Sequence, residues 1–468
     1  MRRPNVLFVI SDDLRPQLGC YGLDWIRSPR MDAFASESLL CERAYCQQAV
    51  CAPSRASVLT GCRPDTTAIY DLQTPVRSVM PDVLTMPQFF RQNGYETVST
   101  GKVYHHREDD VENWTGGVLI EEGDWQGRGY LTDEAVEAVA EFNRRAEAEG
   151  LTARRGIGPA VEAPDVPDDA YPDGKDTART IAELERLSGE DKPFFLAYGL
   201  HKPHLPFNAP KRYWDLYDRE SIPLAGNPFP PEDFTAFTSQ FGVSGEIAAY
   251  KGVPDSGSVP DGVARTLVHG YAACVSYIDT LFGRVLDALD RLDLADNTIV
   301  ILWGDHGWKL GEHDAWCKHT NFEIDARAPL ILHVPGRTGG QRTRALVEFV
   351  DMYPTLVDLC GLPLPEHLEG LSMSPLIEEP DRTWKSAAFG QYPRHGREIM
   401  GYAMRTDRYR YIEWQNRDTG EVEARELYDH ESDPDENRNV AGHVEDPELV
   451  DRLSAQLSRG WRAAASGV

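Results

Sequence analysis

Short apolar runs alternate along the chain with longer stretches in which apolar residues recur at helical spacing. The runs at residues 6–10, 97–99, 194–200, 298–303 and 330–334 are too short for helices and lack the strict apolar–polar alternation of a half-exposed strand. They read as strands buried on both faces, as parallel sheets require. Between them, residues 29–39, 86–93, 177–187 and 264–292 carry helical patterns, and Gly94 closes the second. This alternation predicts an α/β fold: a large, mostly parallel sheet sandwiched by helices.

After Pro363 the rhythm changes. Residues 399–406 and 409–414 read as a hairpin joined at Asp407–Arg408, followed by a strand at 426–429 and a helix from 447 to about 463. The expected organisation is a large α/β domain over residues 1–375 and a smaller C-terminal α+β subdomain over residues 376–468. The segments 107–176 and 219–261 are rich in Pro, Gly and acidic residues and read as long surface excursions.

A parallel sheet says where chemistry should gather, because ligands bind beyond the carboxyl ends of its strands. Asp12 and Asp13 follow the first strand, Lys102 and His105 the second. His201, Lys202 and His204 follow the third, and Asp305 and His306 the fourth. Any one of these could be a turn residue or a cap. Four strands delivering carboxylates, lysines and histidines to one edge point to a site. Asp12, Asp13 and Asp305 are hard oxygen ligands suited to Ca2+, Mg2+ or Mn2+. Clustered, they would repel one another without a cation or a shared proton. His306 fits either the metal shell or a hydrogen bond to substrate.

The segment Cys51-Ala-Pro-Ser-Arg55 is the sharpest local signal. Pro53 suits the first turn of a helix running to about residue 60, with Gly61 beyond its end. Cys51 then sits at a helix N-terminus, where backbone N–H groups and the dipole favour an anion. Arg55 lies one turn along, directed back toward it. As a plain cysteine, Cys51 could act as a low-pKa thiolate nucleophile. Thiolate phosphatases, however, cradle phosphate in a longer loop between Cys and Arg, and here only three residues intervene.

Composition narrows the partners. The formal charge is −27, from 75 acidic against 48 basic residues. Such a balance disfavours nucleic acid and anionic membrane, whose phosphates call for a basic surface. An anionic substrate therefore needs a local cluster of cations. Eight cysteines without a CxxC pair are expected to be reduced thiols. No apolar run approaches the roughly 20 residues of a membrane span. The run at 6–10 falls short of the roughly 7–15 residues of a secretory signal, so the expected location is the cytoplasm.

Cys-x-Pro-Ser-Arg followed by Leu59-Thr60-Gly61 resembles the signature of the formylglycine-dependent sulfatases of the alkaline phosphatase superfamily. The resemblance covers nearly the whole chain: Ser11-Asp-Asp13, Gly101-Lys102, Gly304-Asp-His-Gly307, and Glu426-Leu-Tyr-Asp429 with Asp433-Pro434. Within that family, His201-Lys-Pro-His204, Asp305-His-Gly-Trp308 and Gln391-Tyr-Pro-Arg394 are similar to the iduronate-2-sulfatase branch. The resemblance implies an alkaline-phosphatase-like fold and one divalent metal. That metal is Ca2+ in this family, with Mn2+ and Mg2+ as alternatives, held by Asp12, Asp13, Asp305, His306 and the modified Cys51. Arg55, Lys102, His105, His201 and Lys318 would surround the sulfate. A separate maturation enzyme would oxidise Cys51 to formylglycine, whose hydrate serves as nucleophile. His201 is then the candidate acid for the leaving alcohol, with Lys318 sharing that role, and His105 the candidate base or orienter. Arg394 and His395 are candidates to meet a substrate carboxylate. The implied substrate is a small sulfate ester, a class that includes 2-O-sulfated uronates and other carbohydrate sulfates. Two alternatives stay open: a phosphonate monoester or phosphodiester hydrolase using the same nucleophile, and a binding protein that senses a sulfated ligand.

Overall fold

The computed structural model describes residues 3–106, 109–119, 129–150, 157–243 and 245–465. Parts of the two expected excursions (107–108, 120–128, 151–156 and 244) lie outside the described residues. An eight-stranded sheet forms the centre: β1 (Asn5–Asp12), β2 (Leu39–Cys41), β3 (Glu96–Gly101), β4 (Val118–Leu119), β5 (Phe194–Pro203), β6 (Thr298–Gly304), β7 (Leu330–His333) and β8 (Gln341–Thr343). Their spatial order is β8-β2-β7-β6-β1-β5-β3-β4. β1 runs parallel to both neighbours, with Val6 opposite Phe195 and Asn5 opposite Thr298. Every residue of β1 is buried, so the short apolar run marks a central strand.

The run at 330–334 does form a strand, but β7 lies antiparallel to both β6 and β2, which corrects its reading as a parallel strand. An apolar tetrad carries no directional information, and the connection decides. Between β6 and β7 the chain holds site residues, a small hairpin pairing Lys309–Leu310 with Trp316–Cys317, a 3-10 turn at Glu312–Asp314 and the short helix Glu323–Ala326. A parallel return usually runs through a helix packed on the face of the sheet, and this connection, described throughout, has no helix long enough for that.

The two faces of β1 feed two cores. Leu7 and Val9 pack with α1 (Pro29–Ser36), α4 (Pro172–Ser188) and the long α5 (Asp261–Arg291). Val6, Phe8 and Ile10 pack with α2 (Cys51–Thr60) and α3 (Met86–Gln92). Phe90 of α3 stacks on Phe195 at 4.7 Å, and Phe34 of α1 meets Phe282 of α5 edge-on at 5.2 Å. α4 begins five residues before the helical pattern that predicted it.

A second, antiparallel sheet of four strands follows in consecutive order: β9 (Ala388–Arg394), β10 (Ile399–Arg405), β11 (Tyr409–Asn416) and β12 (Val422–Asp429). The expected hairpin is β10–β11. β9 escaped notice because its pattern is interrupted by Gly390 and Pro393. One face of this sheet packs under α6 (Leu449–Ala464) through Met404, Tyr411, Leu427, Leu453 and Leu457. The other meets Phe322 of the larger unit through Ile399, Ile412, Trp414 and Tyr428. Glu348 adds a polar tie: it takes both Arg63 Nη atoms at 2.7 and 2.8 Å, Lys385 Nζ at 2.7 Å, and the Phe389 backbone N–H at 2.8 Å. All eight cysteines are free. Among the described residues no helix is long and apolar enough to cross a membrane.

Candidate active site

The carboxyl ends of the parallel strands deliver the expected side chains to one place. Asp12 ends β1, and Asp13 follows with φ 61°, a left-handed turn that Asp tolerates better than most residues. Its backbone N–H donates to Asp305 Oδ1 at 3.0 Å, which ties the ends of β1 and β6 together. Lys102 follows β3 at a crowded approach to β5. Its N–H donates to Gly199 O at 3.0 Å, and a Cβ on Gly199 would stand 2.0 Å from Lys102 O. Only glycine allows that approach.

Cys51 is the first residue of α2, a helix buried along its entire length and ended by Gly61 at φ 71°. Ser54 N donates to Val50 O at 3.0 Å, closing the first turn. Arg55 extends from this helix with no exposed surface. Its Nε donates to Asp305 Oδ2 at 2.9 Å, Nη2 lies 3.3 Å from Asp12 Oδ1, and Nη1 donates to Val103 O at 3.0 Å. A charge so deeply buried is tolerable only when paired this fully.

Around Cys51, one ligand atom each from Asp12, Cys51, Asp305 and His306 falls within 4.8 Å of the others. His306 Nε2 stands 3.3 Å from Cys51 Sγ, 3.4 Å from Asp13 Oδ1 and 3.6 Å from Asp305 Oδ1. Its Nδ1 faces Gly307 O at 2.9 Å and so carries the proton, which leaves Nε2 an acceptor among acceptor oxygens. Asp12 Oδ1, fully buried, receives no hydrogen bond and has only the Arg55 Nη2 ion pair at 3.3 Å. A set of acceptors turned toward one another, with an unsatisfied carboxylate oxygen, fits a hard divalent cation. Burial pushes the Asp13 carboxyl up to about 8, while Lys318 draws it down. Against the same burial, Lys102 and Arg55 hold Asp12 well below the usual carboxylate range.

The cations close over this set. Lys102 Nζ pairs with Asp12 Oδ2. Lys318 Nζ lies 2.9 Å from Asp13 Oδ1 and 4.7 Å above the Trp308 ring. Burial pushes the Cys51 thiol well above its ordinary value, with Asp12 adding to the shift and Lys318 opposing it. That works against the thiolate reading: desolvation and two carboxylates outweigh the helix N-terminus.

Two histidines flank the cluster. His105 is half-buried, its Nδ1 has no hydrogen-bond partner among the described residues, and burial together with Lys102 holds its pKa well down. His201 is anchored by a residue the sequence did not single out. Asp173, at the start of α4, accepts from His201 N at 2.7 Å and from Lys202 N at 3.0 Å, and its Oδ1 lies 3.0 Å from His201 Nδ1. Burial lowers the His201 pKa and Asp173 opposes that shift.

A second unexpected carboxylate, Glu246, comes from the excursion after β5. It receives Lys318 Nζ at 2.9 Å and lies 3.0 Å from His204 Nε2. Every catalytic or metal-ligating residue expected from the sequence thus lies in this cluster or beside it. Lys202 turns to the carbonyls of His204 and Pro206 instead. Arg394 donates to Phe237 O at 2.7 Å and Thr238 O at 2.9 Å and stacks on Tyr392, an arrangement that anchors the excursion to the small sheet. His395 is exposed. A cavity of about 810 Å3 between α1, α5 and β8 includes none of the cluster's residues.

Comparison with known proteins places the chain in a family. The family model for sulfatases matches residues 4–362, and that for the C-terminal part of N-sulphoglucosamine sulphohydrolase matches residues 311–462. Iduronate 2-sulfatase of Mus musculus is 36% identical over 93% of this chain and 90% of its own length. Two solved structures share the fold. One is an enzyme in complex with its substrate D-glucosamine-2-N,6-O-disulfate (TM-score 0.75, 23% identity, 98% and 97% of the two chains). The other is a phosphonate monoester hydrolase from Silicibacter pomeroyi (TM-score 0.77, 23% identity, 99% and 96%). With a family model spanning most of its length and a relative above 30% identity, the chain belongs to the sulfatase family, the sulfuric ester hydrolases.

Proposed function

We propose that this sulfatase acts on carbohydrate sulfates, 2-O-sulfated uronates among them, through a formylglycine made from Cys51. The observation that carries the reading is the setting of Cys51: the N-terminal residue of a buried helix, beside a carboxylate–imidazole metal set and enclosed by Arg55, Lys102 and Lys318. The substrate class rests on the likeness to iduronate 2-sulfatase. The phosphonate hydrolase likeness is one of fold alone.

Asp12, Asp13, Asp305 and His306 would hold the cation together with modified Cys51, and the oxygen-rich set favours Ca2+ over softer metals. Once in place, the cation supplies Lewis acidity and the formylglycine supplies the nucleophile. Cys51 is 1% exposed, so a maturation enzyme must reach it before α2 is packed. The protein's own groups do the rest. Lys102 and Lys318 face the sulfuryl oxygens and neutralise charge as the ester bond breaks. His201, as imidazolium, gives Nδ1–H to Asp173 and Nε2–H to the leaving alcohol oxygen. His105 accepts a proton in the half of the reaction that releases sulfate. General acid–base help of this type is worth on the order of 10²–10⁴ in rate. In this reading residues 1–375 carry the reaction. Residues 376–468 form the smaller subdomain, which brings Tyr392 to 6.2 Å from His319, the neighbour of Lys318.

The test is mass spectrometry across Cys51 on the same preparation assayed with paired sulfate and phosphonate esters. The expected result is an aldehyde mass at Cys51, activity proportional to that fraction, and a preference for the sulfate ester. Full activity with an unmodified thiol would overturn the nucleophile. Preference for the phosphonate would overturn the substrate class.

A further inference from the structure

Glu246 stands out because a site built to receive an anion has no evident use for a carboxylate pointing into it. It is not a loose surface residue. The next residue, Ile247, is fully buried in the core, and Tyr250 N donates to Ile247 O at 3.1 Å, which fixes the backbone. Its side chain is 20% exposed. One oxygen lies 2.9 Å from Lys318 Nζ and the other 3.0 Å from His204 Nε2. Lys318 therefore lies between two carboxylates, Asp13 and Glu246.

Counting the charged groups gives that arrangement a meaning. With all three carboxylates ionised, as ligation of a cation requires, Arg55, Lys102 and Lys318 balance Asp12, Asp13 and Asp305. With the divalent cation these residues fit, the six would leave a surplus of two positive charges, which matches a dianionic head such as a phosphate monoester. Glu246 reduces the surplus to one, which matches the single negative charge of a sulfate monoester. We propose that Glu246 is a specificity-determining residue that biases this site toward monoanionic ester heads and against dianionic ones. The inference rests on the sulfate-ester reading above. Against the effect of its own burial, Lys318 holds the Glu246 carboxyl well below the usual range, so it is charged around neutrality, while burial lowers the His204 pKa and leaves that imidazole out of the count.

The magnitude follows from Coulomb's law. One extra negative charge on a ligand held some 6–8 Å from Glu246, at an effective dielectric of about 20–40, is disfavoured by roughly tenfold to a hundredfold in affinity. The test uses calcium-loaded Cys51→Ala protein, which binds esters without turning them over. Association constants are measured by calorimetry for phenyl sulfate and phenyl phosphate, a pair of nearly equal shape, at a pH where the phosphate is a dianion (above its second ionisation near 6).

The phosphate-to-sulfate affinity ratio is expected to rise about tenfold or more on adding Glu246→Gln. It should stay within about threefold of the parent on adding Glu246→Asp, which keeps the charge. An unchanged ratio in Glu246→Gln, or an equal loss for both ligands, overturns the proposal and leaves Glu246 a merely structural tie. A parent that takes up calcium in the same calorimeter and then binds phenyl phosphate but not phenyl sulfate overturns the sulfate-ester reading itself. The parent alone offers a second check in case Glu246→Gln does not fold. Its affinity for phenyl phosphate relative to phenyl sulfate should fall as pH rises through the phosphate's second ionisation. A rising ratio refutes the monoanion preference.

Discussion

Asp173→Asn offers the sharpest test of the acid assigned to this site. The carboxylate faces three groups at the end of β5: His201 N–H at 2.7 Å, His201 Nδ1 at 3.0 Å and Lys202 N–H at 3.0 Å. An amide keeps the shape but exchanges one acceptor oxygen for an NH2 group. Whichever way it turns, at least one buried donor is left facing a donor, at a cost of about 1–3 kcal/mol. In a chain of 468 residues the unfolding entropy is on the order of 1 kcal/mol/K, so the melting temperature should fall by only about 1–3 °C. The chemical effect should be far larger. Without the carboxylate, the His201 imidazolium loses the partner that opposes its desolvation, and its pKa falls further. The protonated form then survives only at lower pH, and the descending limb of the rate profile shifts in the acid direction. The loss should depend on the leaving group. Alkyl and sugar sulfates need the proton and should lose about 10²–10³ in kcat/KM. Nitrophenyl sulfate, whose phenolate leaves without help, should lose less than about tenfold. Equal losses for both esters, or an unmoved pH profile, would remove His201 from the acid's role.

Three further outcomes are expected. Chelation should abolish ester hydrolysis and lower the melting temperature by several degrees, since a ligand at about 1,000 times its Kd stabilises by roughly 4 kcal/mol. Ca2+, Mn2+ and Mg2+ added back in turn rank the metals, and chelation without effect would dismiss the cation. Gly199→Ala puts a Cβ 2.0 Å from Lys102 O and should cost about 1–3 kcal/mol while displacing Lys102, with kcat falling at least tenfold. Unchanged kinetics would show that the β3–β5 junction yields. Glu348 is fully buried, and Arg63 and Lys385 overcome that burial to bring its pKa from 4.5 down to about 2. Its folded-state pKa is depressed, so its contribution is complete above about 4.5 and lost as pH falls toward 2. The contribution is on the order of 2–4 kcal/mol, partly offset by Asp351, whose carboxyl burial pushes up. Glu348→Gln should lower the melting temperature at neutral pH and flatten its acid dependence. A parallel downward shift at every pH would refute the charge argument.

The parallel part of the sheet was legible because a buried parallel strand and the loop after it are contiguous in sequence. Asp12 at the end of β1 with Asp13 after it, Lys102 after β3 and Asp305 after β6 each follow an apolar run. The geometry of a parallel sheet then places all of them at one edge. Cys51 was legible for a related reason: Pro53 and Gly61 frame α2 and fix which end of the helix the thiol occupies. The direction of β7 was not legible, because an apolar tetrad reads the same either way and its pairing is set by how little crossover helix precedes it.

Asp173 and Glu246 failed to show for a different reason. With 75 acidic residues in the chain, one more carboxylate in an acidic, Pro- and Gly-rich stretch carries no information. Asp173 had a faint signal, since Pro172 before it marks the first turn of α4 and acids favour that turn. What gives it chemical meaning is that α4 starts where β5 ends, so that its carboxylate meets the His201 and Lys202 N–H groups. Glu246 had none: its backbone is fixed by burial of Ile247, and its partners Lys318 and His204 lie some 70 and 40 residues away. The division is physical. The candidate metal ligands Asp12, Asp13, Asp305 and His306 and the candidate sulfate group Lys102 sit where strands of the sheet end and are announced by them, while Cys51 and Arg55 are announced by the ends of α2. Asp173 and Glu246, proposed to set a proton or a charge, arrive from elements packed against that edge of the sheet, and only the packing reveals them. Substitutions at the second set should therefore change selectivity and pH dependence more than they change the fold.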